Sequence, residues 1–262
     1  MCISESVGLN APNQNHDVTL IQALLNLNLS LLPGVPFLTE DGVLGPHSQA
    51  VIQQFQCLVA APGADSGVID PGSATLTAMR AAVSGEFTSD LLHILMPLSS
   101  EDQADTFTAP LVAAMNANQI STPLRRAHFL AQLGHESGSL RYTAELASGA
   151  AYEGRTDLGN SQPGDGPRFK GRGLIQITGR TNYTNYGNDR GQDYITGRHP
   201  DLLATDPHVA ADCAGWFWAT RHLNELADDD DLLTITKRIN GGINGLADRA
   251  RRLKLAKCLF IP

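Results

Sequence analysis

The chain of 262 residues is short of cysteine, of aromatic residues and, over its first third, of positive charge. Its four cysteines (Cys2, Cys57, Cys213 and Cys258) lie far apart, with no Cys-x-x-Cys and no histidine pair at zinc spacing. That pattern suggests neither a disulfide framework nor a metal site, so structural thiols are expected and no metal or other cofactor. No apolar run reaches membrane length, so stable membrane insertion is not expected. The segment Met1 to Val7 carries neither a basic n-region nor an apolar h-region, which predicts no secretory signal and accumulation in a cytoplasm. Up to Gly85 the acids Glu5, Asp17, Glu40, Asp41, Asp65 and Asp70 face a single base, Arg80. A net charge of −8 without basic stripes interleaved with aromatics excludes nucleic acid as the main ligand. The one basic stretch, Lys237 to Lys257, reads as a solvated helix face.

What remains is an ordinary globular composition, long enough for one large domain or two smaller ones. Residues 1–84 carry an internal echo. Asp41-Gly42-Val43-Leu44-Gly45-Pro46 precedes a helical run from Gln49 to Val59, and Asp65-Ser66-Gly67-Val68-Ile69-Asp70-Pro71 precedes another from Ala74 to Val83. In each, glycine permits a left-handed turn and proline is placed to open a helix. With a third run from Val18 to Leu29, three short helices around one small core are expected. Residues 85–97 read as a linker running into the first helix of a second domain, 98–262. There Ser89 or Asp90 is a plausible cap, Ala109 to Asn118 is helical, and Pro123 opens the next helix. No long β-rich run appears, so the fold class is mainly α, with a larger second domain that is mostly helical (α+β with minor β). Trp216 and Trp218 sit among Ala, Cys and Phe on a helix and read as core. The run Asp228 to Asp231 reads as a helix N-terminus.

The first third resembles the three-helix peptidoglycan-binding domain of cell-wall hydrolases. The resemblance rests on Val18 to Leu25, Asp41-Gly42-Val43-Leu44-Gly45-Pro46 and Ala50-Val51-Ile52-Gln53-Gln54-Phe55-Gln56. Ser66 and Asp70 depart from the pattern in the second echo. The resemblance implies a peptidoglycan partner for the domain as a whole.

The candidate chemistry lies between Arg126 and Tyr183. Glycosidic hydrolysis needs one carboxyl to protonate the leaving oxygen and a second group, about 6.5–9.5 Å away in inverting enzymes, to activate water. Glu136 and Glu145 would stand about 13.5 Å apart on one continuous helix at about 1.5 Å per residue. The helix must therefore stop between them, and Ser137-Gly138-Ser139 supplies the break. Glu153 is a rival base on the same loop. Burial against Leu133 and Leu140 would suit Glu136 to donate a proton near neutral pH.

His135-Glu136-Ser137-Gly138, Glu145, Gly171-Arg172-Gly173-Leu174-Ile175-Gln176-Ile177-Thr178, Asn182-Tyr183, Ile239-Asn240-Gly241-Gly242 and Ala247-Asp248-Arg249 follow in that order. Together they resemble glycoside hydrolase family 19, in particular its phage endolysin and bacterial lysozyme-like members. The resemblance implies Glu136 as general acid, Glu145 as general base and Thr178 as the hydroxyl that holds the attacking water. It implies Gln176, Asn182, Tyr183 and Asn240 along the sugar subsites and Arg249 as a cleft arginine that orients carboxylates. His135 either tunes the acid or is structural. The implied activity is hydrolysis of the β-1,4 bond between N-acetylmuramic acid and N-acetylglucosamine. A monomeric endolysin would leave its host's cytoplasm through a holin-type pore. A chitinase and a secreted wall-degrading toxin are the alternatives.

Overall fold

The computed structural model describes residues 2–60, 66–82 and 86–261. Asp65 of the second echo, Val83 at the end of its helical run and the expected boundary at residues 84 and 85 lie outside the described residues. The chain forms two compact units, Met1–Glu86 with Lys254–Pro262, and Phe87–Leu253.

The first unit contains α1 (Asn15–Leu27), α2 (Pro46–Leu58) and α3 (Ala74–Ala82), with Ile21, Leu24, Leu25, Ile52, Phe55 and Met79 in its core. A two-residue ribbon joins β1 (Val7–Gly8) to β2 (Val68–Ile69), antiparallel, with Val7 opposite Ile69. Pro46 occupies the first turn of α2, where its missing N–H costs nothing. The sequence echo has a structural counterpart. Gln22 on α1 is buried and accepts the Gly42 N–H (3.0 Å), while Gln56 on α2 is buried and accepts the Gly67 N–H (2.8 Å). Seven residues before each glutamine, Asn15 and Gln49 donate to the carbonyls of Gly42 and Gly67. Both glycines are left-handed, with φ of 72° and 69°. Ser66, which replaces the acid, still performs its turn role: Val43 N–H donates to Asp41 Oδ1 and Val68 N–H donates to Ser66 Oγ. Each turn is thus gripped through its backbone by the helix before it.

One expectation is corrected in this unit. Cys2 and Cys258 are paired in a disulfide, with Cα atoms 4.9 Å apart, inside the range a disulfide requires. They are separated by 256 positions, and pairing across such a span is set by where the chain ends meet, which spacing does not reveal. Arg80 Nε donates to the Cys258 carbonyl (2.9 Å), so the last residues, which the sequence reading placed with the second domain, belong to the first unit. Cys57 and Cys213 are free thiols.

The second unit holds α4 (Ser89–Leu95), α5 (Glu101–Ala117), α6 (Pro123–Glu136), α7 (Asp165–Arg168), α8 (Arg180–Arg190), α9 (Leu202–Thr205), α10 (Pro207–Thr220), α11 (Leu223–Asp228) and α12 (Leu232–Asn240). It also holds the start of α13 (Leu246–Phe260). Thr88, not Ser89 or Asp90, caps α4 by accepting the Leu91 N–H. α5 begins at Glu101 rather than near Ala109, because Ser100 and Gln103 form a reciprocal capping box and Pro110 is absorbed inside the helix. Pro123 opens α6 behind the Thr122 cap. Asp231 caps α12 by accepting the Thr234 N–H.

α10 is apolar on nearly every side and lies against α5. At the contact, a Cβ on Gly215 would sit 3.1 Å from the Ala114 carbonyl oxygen, so glycine allows the two backbones to meet. Trp216 and Trp218 are core residues whose indole N–H groups donate to Asp189 and Asn224. Trp218 meets Phe129 of α6 edge to face at 5.3 Å between centroids. This fixes α6, whose C-terminal turn carries the candidate acid. No helix among the described residues is long and apolar enough to cross a membrane.

The disulfide predicts that reduction, or Cys258→Ser, lowers stability by about 2–4 kcal/mol through the freedom returned to the unfolded chain. Denaturant titration with and without dithiothreitol reads the effect, and coincident midpoints would show that the bridge contributes nothing.

Candidate active site

α6 ends at Glu136, and the chain then turns through three consecutive left-handed residues, Gly138 (φ 57°), Ser139 (62°) and Leu140 (66°). Two of these are not glycine, and such backbone persists only where its surroundings over-determine it. Here Ser137 Oγ donates to the Leu133 carbonyl and accepts the Leu140 N–H. Ser139 N–H donates to the Gly134 carbonyl, and Gln103 Nε2 to the Leu140 carbonyl. Ser139 and Leu140 are buried. The reversal delivers Glu145 to the segment that follows α7, where its N–H donates to the Gly171 carbonyl (3.0 Å) and Ala144 bridges Arg172.

Around Gly171 three polar groups converge. A Cβ built there would lie 3.4 Å from Glu145 Oε2, 3.4 Å from Thr178 Oγ1 and 3.0 Å from Gln176 Oε1. The absent side chain therefore leaves open the space those oxygens surround. Thr178 Oγ1 donates to the Gln176 carbonyl (3.1 Å), and Gln176, itself left-handed at φ 56°, donates to the Gly173 and Tyr142 carbonyls. Lys170 Nζ donates to the Glu145 and Ala147 carbonyls and anchors the loop after the glutamate. Tyr152 Oη donates to Glu145 Oε2 (2.9 Å). The rival Glu153 is differently engaged: its two oxygens accept the Gly164 (2.7 Å) and Gly166 (2.8 Å) N–H groups and tie down the turn into α7.

Glu136, at the end of α6, has a side chain 18% exposed. The expected apolar burial is not its main environment, although Leu133 and Leu140 are buried nearby. Arg249 of α13, whose side chain is 1% exposed, donates to Glu136 Oε1 through Nη2 and to Gln132 Oε1 through Nη1. Gln132 and Glu136 lie one helical turn apart on α6, so one guanidinium spans both. Arg249 Nε donates to the Asn244 carbonyl, and that carbonyl also accepts Asn240 Nδ2 (3.0 Å). Asn240 thus supports the turn that seats the arginine. Arg249 belongs to a buried network and meets a carboxylate, while Lys237, Arg251 and Lys254 of the same basic stretch are exposed. Next to it, Asp248 gathers His135 Nδ1 (2.9 Å), Arg252 Nε (2.8 Å) and Arg251. Burial alone would raise the Asp248 carboxyl, but the hydrogen bonds from Arg252 and His135 outweigh it and hold it below the usual carboxylate range. His135 is further covered by Gly245, where any Cβ would strike the imidazole. It serves a structural pairing in this arrangement.

Tyr183, expected along the sugar subsites, is instead fully buried. Its hydroxyl donates to the Lys170 carbonyl (2.7 Å) and accepts from Arg172, and burial pushes the phenol well above its ordinary range. It holds the backbone at Lys170, next to Gly171, from within the core. Asn182 is half-buried and donates to the Thr178 carbonyl (2.7 Å). Gln132, Asp248 and Tyr152 were not singled out from sequence. The i, i+4 spacing of Gln132 and Glu136 was the one available signal, and it needs Arg249 across the gap to acquire meaning. Among the described residues no cluster of His, Cys, Asp or Glu could hold a metal ion.

Arg249→Met should cost about 3 kcal/mol, because Gln132 and Glu136 would keep their oxygens with no donor. Arg249→Lys should restore only part of this, since one ammonium cannot reach three acceptors held in a planar fork. Denaturant midpoints measure both, and equal stability of all three proteins would contradict the network.

The profile of a family described as chitinase class I matches residues 105–242, a stretch that holds Glu136, Glu145, Thr178 and Asn240. A Haemophilus influenzae protein described as glycosyl hydrolase family 19 domain-containing is 31% identical over 169 residues, covering 53% of this chain and 80% of its own. An endochitinase of Arabidopsis thaliana is 40% identical over 116 residues, covering 44% of this chain and only 39% of its own. Chitinase C from Streptomyces griseus shares the fold with a TM-score of 0.55 at 21% identity, over 66% of this chain and 92% of that one. A class IV chitinase from Zea mays does so with a TM-score of 0.52 at 23% identity, over 65% and 89%. The chain is a glycosidase and belongs to glycoside hydrolase family 19.

Proposed function

We propose that the protein is an endolysin that hydrolyses the β-1,4 bond between N-acetylmuramic acid and N-acetylglucosamine in peptidoglycan, with inversion. Glu136 protonates the leaving oxygen, Glu145 takes a proton from the attacking water, and Thr178 helps hold that water. Glu145 is preferred to Glu153 because the Glu153 oxygens are engaged by backbone N–H groups, whereas Glu145 faces Thr178 beside Gly171.

The observation that carries the choice of polymer is the first unit. Its paired glutamine-gripped turns support reading it as a wall-binding module, which would keep the enzyme on its polymer. The Cys2–Cys258 bridge suits work outside a reducing cytoplasm, beyond a holin-type pore. A second reading, chitin hydrolysis, is favoured by the relatives, several of which are endochitinases. Residues such as Gln176, Asn182 and Asn240 would serve either N-acetylated sugar.

Purified sacculi and chitin oligomers distinguish the two, and mass spectrometry of the new reducing ends names the bond. Release from chitin alone would overturn the peptidoglycan reading. Glu136→Gln should lower kcat by about 10³-fold or more while leaving sacculus binding intact. Full lysis by that variant would remove Glu136 from its role. Gly171→Ala should place a methyl group among Glu145, Gln176 and Thr178, lowering kcat by at least about tenfold with little change in the denaturant midpoint. Undiminished turnover would show that the space beside Gly171 is not where water reacts.

A further inference from the structure

Tyr152 reaches the active site from a stretch that belongs to none of the sequence motifs. The loop after Glu145 turns at Gly149 (φ 81°) into a short 3-10 turn, Ala150–Tyr152, and brings Tyr152 Oη within 2.9 Å of Glu145 Oε2. The ring is half-buried. Its backbone is fixed by Asn160, which is fully buried: Nδ2 donates to the Tyr152 carbonyl (2.9 Å), and Oδ1 accepts the Arg180 N–H (2.8 Å). Arg180 lies two positions after Thr178, so the tyrosine is tied to the strip of backbone that carries the threonine hydroxyl.

The two oxygens of Glu145 therefore differ. Oε2 accepts the phenol, while Oε1 is buried and has no hydrogen-bond partner among the described residues. We infer that Tyr152 is the positioning residue of the general base: its hydroxyl holds Oε2, the oxygen that borders the space beside Gly171, so that the remaining lone pair of Oε2 faces the attacking water. This rests on the reading of Glu145 as the base. In the step, the water oxygen bonds to the anomeric carbon as the glycosidic C–O bond breaks. The leaving oxygen receives the Glu136 proton, a water proton passes to Glu145 Oε2, and Tyr152 keeps its own. Burial first, and then the neighbouring carboxylate, push the Tyr152 hydroxyl above its ordinary range, so it stays protonated while the base works.

The test is Tyr152→Phe, assayed on whichever of chitin oligomers and sacculi the parent enzyme cleaves. We expect kcat to fall about tenfold while KM stays within about twofold, a split that a merely structural role would not give. In a Glu145→Ala background the same substitution should change nothing further, because the pair is already broken. Replacing Tyr152 with 3-fluorotyrosine keeps the ring and the donor, and should keep kcat within about twofold of the parent. Unchanged kcat in Tyr152→Phe, an equal loss in both replacements, or a further loss in the Glu145→Ala background would overturn the inference. Full activity of Glu145→Ala alone would instead overturn the assignment of the base, and that result is seen without touching Tyr152.

Discussion

The buried guanidinium of Arg249 is the constraint on which the active site depends. It joins α13 to α6 through Glu136 and Gln132 and holds the turn before α13 through the Asn244 carbonyl. A charge with 1% exposure is tolerated only where its donors are met. The neighbouring features follow from that demand. Gln132 is a polar residue on the buried face of α6, Asn240 braces the carbonyl that Arg249 uses, and Asp248 collects the cations and the imidazole beside it. The position of Glu136 is thereby set by hydrogen bonds of fixed geometry.

Glu145 is placed by a different device. Three left-handed residues turn the chain sharply after α6, and the hydroxyl of Ser137 holds both sides of the reversal. Such backbone costs on the order of 1–3 kcal/mol per strained residue. The surrounding network of backbone and side-chain hydrogen bonds offsets that cost locally. The two glutamates thus rest on separate supports. Glu136 answers to α13, and Glu145 to Gly171, Lys170 and Tyr152.

The first unit solves a smaller problem twice. Each of two helices carries a buried glutamine that accepts a glycine N–H in the turn that follows, so two turns of unequal sequence share one backbone grip. This explains why Ser66 can stand where the first turn has Asp41. A hydroxyl meets the same N–H that a carboxylate meets, and the rest of the contact is backbone.

The amino-acid sequence by itself determined the helical class, the proline-opened starts of α2 and α6, the core placement of both tryptophans and the break after Glu136. These are local consequences of φ restriction, periodicity and glycine freedom, which neighbouring residues decide among themselves. The motif order also pointed to the family and to the glutamates worth testing. Tertiary structure alone decided that Cys2 meets Cys258, that Tyr183 is buried in the core, that Glu153 is occupied by two N–H groups and that Tyr152 reaches Glu145. Each of these depends on which distant atoms share a space. A one-dimensional pattern carries the preferences of a residue but not the identity of its partner, because contact is a property of three-dimensional distance.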